Sequence, residues 1–202
     1  MTCKIELLRN NEFLTSKWSG GTTTEIAIYP KDAQYSERNF IWRLSSAKVE
    51  IEESTFTSLP GFKRIIMILD GELKLEHVGH HKCTLEPFQQ DKFSGSWQTK
   101  SYGKVTDFNL MMSEECNGDL EPIFINQGEE IEYTIRVKDN NNTQAIYCVC
   151  GQVDINCFTN ETITLYEGDA VLFTVNKSSK LDFTISNKYK NISRLVKANI
   201  MY

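Results

Sequence analysis

The 202-residue chain carries 22 Lys+Arg against 27 Asp+Glu, a formal net charge of −5, with 40% hydrophobic and 11% aromatic residues. At ~150 residues per domain this is one large or two small domains, long enough to bury about 70% of its unfolded surface without a disulfide or metal. The negative balance argues against nucleic acid or an anionic membrane as partner, and the longest apolar run, Ile65 to Leu69, falls far short of the ~20 residues of a bilayer span.

Met1 to Glu6 shows no charged-then-apolar leader pattern, so a cytoplasmic globular protein is expected. The stretch Trp18-Ser19-Gly20-Gly21 reads as a tight loop feeding an alternating strand, Glu25 to Tyr29, that stops at Pro30. It lacks the Gly-Lys-Ser/Thr ending and following helix of a phosphate loop, although its backbone N–H groups could meet a ligand. Phe40 to Ile51 is a long strand-like stretch followed by a turn at Glu53-Ser54. Lys63 to Leu69, a turn at Asp70-Gly71, and the period-two run Glu72 to Glu76 follow, then a strand at Asp107 to Met112. In the second half, strands are expected at Ile131–Val137, Gln144–Val149, Gly151–Phe158, Glu161–Leu165, Ala170–Val175, Leu181–Ser186 and Ser193–Ile200. Turns at Asp139 to Asn142 and Glu167 to Asp169 separate them, and convincing helices are few.

The six cysteines are spread too widely for a small secreted scaffold and include no C-x-x-C. Cys148 and Cys150, two apart in a strand, read as small buried hydrophobes. The N-x-S/T triplets at Asn141, Asn160, Asn176 and Asn191 read as chance products of an Asn-rich composition.

An internal repeat defines the architecture. Leu69-Asp70-Gly71-Glu72-Leu73-Lys74-Leu75 aligns with Val149-Cys150-Gly151-Gln152-Val153-Asp154-Ile155, and the same shift brings Thr84-Leu85 onto Thr164-Leu165. After a two-residue deletion, Asp91-Lys92-Phe93 meets Asp169-Ala170-Val171. Hairpins of this habit resemble those of cupin-type jelly rolls. The expected fold is therefore all-β: two tandem cupin-type jelly rolls, residues 1–113 and 119–202, divided at the least patterned stretch, Ser113 to Asp119.

A cupin metal site needs H-x-H on one strand plus a carboxylate and a third histidine. The three histidines, His77, His80 and His81, all follow one strand and flank Gly79, which reads as a hairpin tip without a placed carboxylate partner. No metal and no cofactor are expected, and no Ser/His/Asp arrangement is legible. Polar residues embedded in apolar strands are more informative. Arg43 and Ser45 share one strand face, Asp107 and Asn109 share another, and Arg64 opens the run Ile65 to Leu69. On concave faces these would line a polar pocket for a small anion, since the guanidinium fork matches a carboxylate. Equally, they could form an internal Arg–Asp bridge that closes the barrel.

Four blocks carry a resemblance. Trp18-Ser19-Gly20-Gly21-Thr22-Thr23-Thr24-Glu25-Ile26, Phe40 to Val49 with its W-R-L-S-x-A core, Phe56 to Arg64 as F-x-x-x-P-G-x-x-R, and Asp107 to Met111 resemble, in order and spacing, the bacterial HutD/Ves bicupins. Ser19 stands where that family usually has Asn, and Gln89-Gln90-Asp91 replaces a Gly-Asp after Phe88. The resemblance implies a bicupin fold and a pocket formed by Glu25, Arg43, Ser45, Arg64, Asp107 and Asn109. It further implies a regulatory role in histidine utilisation, sensing a small acidic intermediate such as formylglutamate, or a role in stress response. Three functions follow in order: a metal-free sensor of a carboxylate metabolite; a metal-free isomerase, epimerase or lyase with Glu25 or Asp107 as base; and an interaction protein. A homodimer through sheet edges suits the third.

Overall fold

In a computed structural model of the chain, residues 3–137, 141–157, 162–176 and 179–202 are described. The expected turn residues Asp139 and Asn140, the strand ends Phe158 and Glu161, Asn160, and Lys177-Ser178 of the triplet at Asn176 lie outside them.

The strands are, in chain order, Cys3–Leu8 (β1), Leu14–Trp18 (β2), Gly21–Tyr29 (β3), Trp42–Val49 (β4), Glu53–Thr55 (β5), Phe62–Asp70 (β6) and Leu73–His77 (β7). Next come Lys82–Leu85 (β8), Gln90–Ser94 (β9), Thr99–Tyr102 (β10), Thr106–Ser113 (β11), Asn117–Ile125 (β12) and Glu130–Arg136 (β13). Asn142–Cys150 (β14), Gln152–Cys157 (β15), Thr162–Tyr166 (β16), Ala170–Val175 (β17), Lys180–Ser186 (β18) and Ser193–Met201 (β19) complete the chain. The chain folds into two units, residues 13–117 and residues 1–12 with 118–202.

The 13–117 unit is a sandwich of a six-stranded sheet, β2-β3-β4-β11-β6-β9, and a four-stranded sheet, β5-β10-β7-β8. The other unit pairs a five-stranded sheet, β1-β17-β14-β19-β12, with a four-stranded sheet, β13-β18-β15-β16. The two-sheet plan and the repeat are those expected. Gly71 and Gly151 occupy the same left-handed conformation, φ +87° in both, at equivalent hairpin turns.

Three expectations need correction. The first twelve residues do not belong to the first jelly roll, because β1 pairs antiparallel with β17 along its whole length, Cys3 opposite Val175 to Leu8 opposite Ala170. Glu53-Ser54 is not a turn but starts the short strand β5, whose hydrogen bonds go to β10. The unpatterned stretch after Ser113 contains the start of β12. In each case the pairing partner lies far along the chain, so local propensity carries no record of it.

Strand alternation explains where the core lies. In β7 the pattern Leu-Lys-Leu-Glu-His buries Leu73, Leu75 and His77 while Lys74 is exposed. Those leucines meet Ile66, Ile68, Leu85, Phe93 and Val105 in an apolar cluster of the 13–117 unit. The second unit is filled by Ile146, Cys148, Val153, Ile155, Leu165, Val171, Phe173, Phe183 and Leu195. Cys148 is thus the small core hydrophobe expected of it, whereas Cys150 is only half-buried, because a bulge between them breaks their shared face. Gly21 stands where β3 crosses tightly over β4: a Cβ there would lie 1.9 Å from the Lys48 carbonyl oxygen. Close backbone approach explains that glycine.

Candidate functional site

Pairing register brings the six expected residues together in rows across the large sheet of the 13–117 unit. One row runs Glu25–Ser45–Asn109 over β3, β4 and β11. A second runs Arg43–Met111–Arg64 over β4, β11 and β6, and Asp107 stands opposite Ala47 in a third. A bulge between Glu25 and Ala27 absorbs one residue of β3 beside Glu25. On β6 the face that begins with Arg64 continues through Ile66 and Ile68 into the apolar cluster. The interior is therefore divided into a polar end and a hydrocarbon end.

The polar end is a cavity of about 290 Å³, at the lower edge of the range for small-molecule sites. Arg43, Ser45, Arg64, Asp107 and Asn109 line it, and all five are buried. Glu25 sits at its side, where its carboxylate accepts a hydrogen bond from Arg43 Nε at 2.7 Å; the Glu25 side chain is 28% exposed against 7% for Arg43. Arg43 Nη1 donates to Ser45 Oγ at 3.0 Å, and the guanidinium lies over the Tyr35 ring. The Glu25 carboxylate thus engages one edge of the Arg43 fork.

Arg64 is placed differently. Its guanidinium lies against Phe56 and Phe93, and Nη2 donates to Asn109 Oδ1 at 3.1 Å. Buried Nε has no hydrogen-bond acceptor, and no carboxylate forms a salt bridge with it among the described residues. Asn109 Nδ2 in turn donates to Asp107 Oδ1. The expected alternative of an Arg–Asp bridge is not what is found: Asp107 reaches Arg64 only through Asn109 and the longer-range field. Burial pushes the Asp107 carboxyl up to about 7, against the opposing pulls of Arg64, Asn109 and the Ala47 N–H. Burial also lowers Arg64 from its ordinary range, which expresses the cost of a cation held without a counter-ion.

Sequence reasoning does not single out several lining residues: Trp18, Thr23, Tyr35, Ser54, Phe56 and Thr57. Phe56 has a signal, as the first residue of the F-x-x-x-P-G-x-x-R block whose last residue, Arg64, it stacks on. Trp18 and Thr23 lie in the first motif block. Tyr35, in a short 3-10 segment, has none.

The histidines also need correction. His77 is no hairpin-tip residue: it ends β7 and is 1% exposed. Nor does the group lack a carboxylate, since Asp91 of β9 lies 2.8 Å from His77 Nε2 and 3.0 Å from His81 Nε2. With Cys83 of β8, these side chains bring four potential metal-ligand atoms within 4.8 Å of one another.

Known proteins share both the sequence pattern and the fold. The family model described as HutD matches residues 10–192. An uncharacterized 21.2 kDa protein in the hutC 3' region of Pseudomonas putida is 33% identical over 118 residues, 55% of this chain and 60% of that relative's length. A conserved protein of unknown function from Pseudomonas aeruginosa PAO1 superposes with TM-score 0.83 at 21% identity, covering 98% of both chains. HutD from Pseudomonas fluorescens SBW25, solved in a formate condition, superposes with TM-score 0.70 at 24% identity over 96% of this chain and 98% of that one. At these identities the structural likeness concerns the fold. Among the described residues no helix is long and apolar enough to cross a membrane.

Proposed function

The chain belongs to the HutD family, and from that premise we propose that it binds a small carboxylate-bearing metabolite in the polar cavity and acts as a cytoplasmic sensor or regulator. The observation that carries this reading is Arg64: a buried guanidinium at the wall of a cavity that, among the described residues, has one protein hydrogen bond, an unsatisfied Nε and no salt bridge. A buried charge without a counter-ion is costly, and an anionic ligand would supply one. Arg43, with part of its fork uncommitted to Glu25, offers a second donor to the same anion.

Titration calorimetry with formate, acetate, glutarate and N-formylglutamate tests it. The wild-type chain is expected to bind at least one of these, and Arg43→Ala to bind it roughly 10-fold or more weakly while still unfolding cooperatively, at a lower midpoint because Glu25 loses its buried partner. No binding by any member of the panel, or equal binding by the variant, would refute the proposal.

One observation favours proton transfer as a second reading: a buried carboxyl pushed up to about 7 inside a cavity suits a general base. That reading expects a carbon-bound proton of the bound carboxylate to exchange in deuterated water, and Asp107→Asn to stop the exchange. Complete absence of exchange at saturating ligand leaves binding alone.

A further inference from the structure

We propose that His77, His81, Cys83 and Asp91 form a structural Zn²⁺ site that ties the two sheets of the 13–117 unit together at one edge. The donors come from neighbouring segments: His77 at the end of β7, Cys83 in β8 and Asp91 in β9, with His81 in the loop entering β8. β7 and β8 belong to the four-stranded sheet and β9 is the edge strand of the six-stranded sheet, so an ion bound here cross-links the sandwich.

The donor set is two imidazole nitrogens, one thiolate and one carboxylate oxygen, a four-ligand set that suits tetrahedral zinc. A zinc ion holds its ligand atoms about 3.3–3.8 Å apart, given Zn–N near 2.0 Å and Zn–S near 2.3 Å. Here the four atoms lie within 4.8 Å of one another, and Asp91 Oδ2 is 2.8 and 3.0 Å from the two Nε2 atoms. Side-chain adjustments of about 1 Å reach the metal geometry.

The surrounding contacts favour the same arrangement. Both histidines present Nε2 to the same point. His77 Nδ1, on the far side of its ring, lies 2.8 Å from Thr99 Oγ1, which in turn donates to the Trp97 carbonyl at 3.4 Å. Metal at Nε2 requires a proton on Nδ1, and Thr99 Oγ1 accepts it while keeping its own donation, so the ring is held by an outer hydrogen bond. Phe93 and Trp97 flank the His77 ring, which keeps water from one side. His81, 40% exposed, provides the entry side. Coordination releases the Cys83 thiol proton to solvent and leaves both imidazoles neutral. His80, stacked on Trp97 at 3.8 Å, is outside the donor set and serves as the control.

The test uses the full chain stripped of metal and titrated with Zn²⁺ or Co²⁺ alone. One Zn²⁺ per chain is expected, with the melting temperature rising by roughly 5–10 °C when zinc exceeds its Kd a hundredfold. Co²⁺ is expected to give the intense visible bands of a tetrahedral site and a thiolate charge-transfer band. Cys83→Ser is expected to abolish that band, His81→Ala to weaken zinc roughly 100-fold, and His80→Ala to leave affinity within about twofold. An octahedral cobalt spectrum without the thiolate band, or no stoichiometric zinc, overturns the proposal even where a variant fails to fold. Equal zinc affinity in the folded Cys83→Ser and His81→Ala chains does so too.

Discussion

Replacing Arg64 with methionine is expected to weaken carboxylate binding roughly 30-fold or more, the cost of deleting one partner of a buried charged contact being about 2–5 kcal/mol. Methionine keeps an unbranched apolar stem between Phe56 and Phe93, so the packing against those rings survives while the charge goes. The same substitution is expected to leave unfolding free energy unchanged or to raise it. Among the described residues the guanidinium has one protein hydrogen bond and no carboxylate partner, and an apolar group of similar length avoids that desolvation. Binding lost with stability kept or gained is the signature of a side chain held for a ligand. Calorimetry and urea denaturation on one preparation measure both, and a chain that unfolds more easily while binding normally would make Arg64 a structural cation instead.

The second large effect belongs to Asp107. Its carboxyl is pushed up to about 7 in the folded chain from an ordinary value near 3.8. Below about pH 4 the group is protonated in both folded and unfolded chains and costs nothing. Between about pH 4 and 7 the unfolded chain ionises while the folded chain resists, so this group's contribution to stability falls as pH rises and is lost above about 7. About three pH units at about 1.4 kcal/mol each make a difference of roughly 4 kcal/mol. Asp107→Asn keeps an oxygen acceptor toward Asn109 and removes the titration. It is therefore expected to match the wild type near pH 4 and to exceed it in urea denaturation at about pH 8–9. Ligand binding should follow the same group. Protonated, Asp107 leaves Arg64 without a nearby negative charge; ionised, it competes for that role. Carboxylate affinity of the wild type should rise as pH falls through about 7, until the ligand itself is protonated, and the Asp107→Asn variant should show a flat profile. A wild-type profile already flat between about pH 5 and 8, or identical pH-stability curves for the two chains, would remove Asp107 from both roles.

Much of the fold was legible in the chain because its signals are local. Alternation at Glu72 to Glu76 requires only that neighbours point to opposite faces, and Gly71 and Gly151 mark turns because other residues are strained there. The repeat doubles that signal. The candidate site was legible in part for a related reason: a charged or amide side chain inside an apolar strand, as at Arg43, Arg64, Asp107 and Asn109, is conspicuous against its neighbours.

Residue order by itself thus determined an all-β chain of two similar sandwiches and marked polar side chains within them. Only tertiary structure decided which partners those side chains meet. Pairing between β4, β11 and β6 sets Arg43 and Arg64 on either side of Met111, and one residue of slippage in β4 or β6 would turn that strand's arginine to the opposite face. The N-terminal strand joins the second unit through β17, near the other end of the chain, and Asp91 meets His77 and His81 from the opposite sheet. Such contacts depend on chain closure over long loops, for which no short segment of sequence carries a signature.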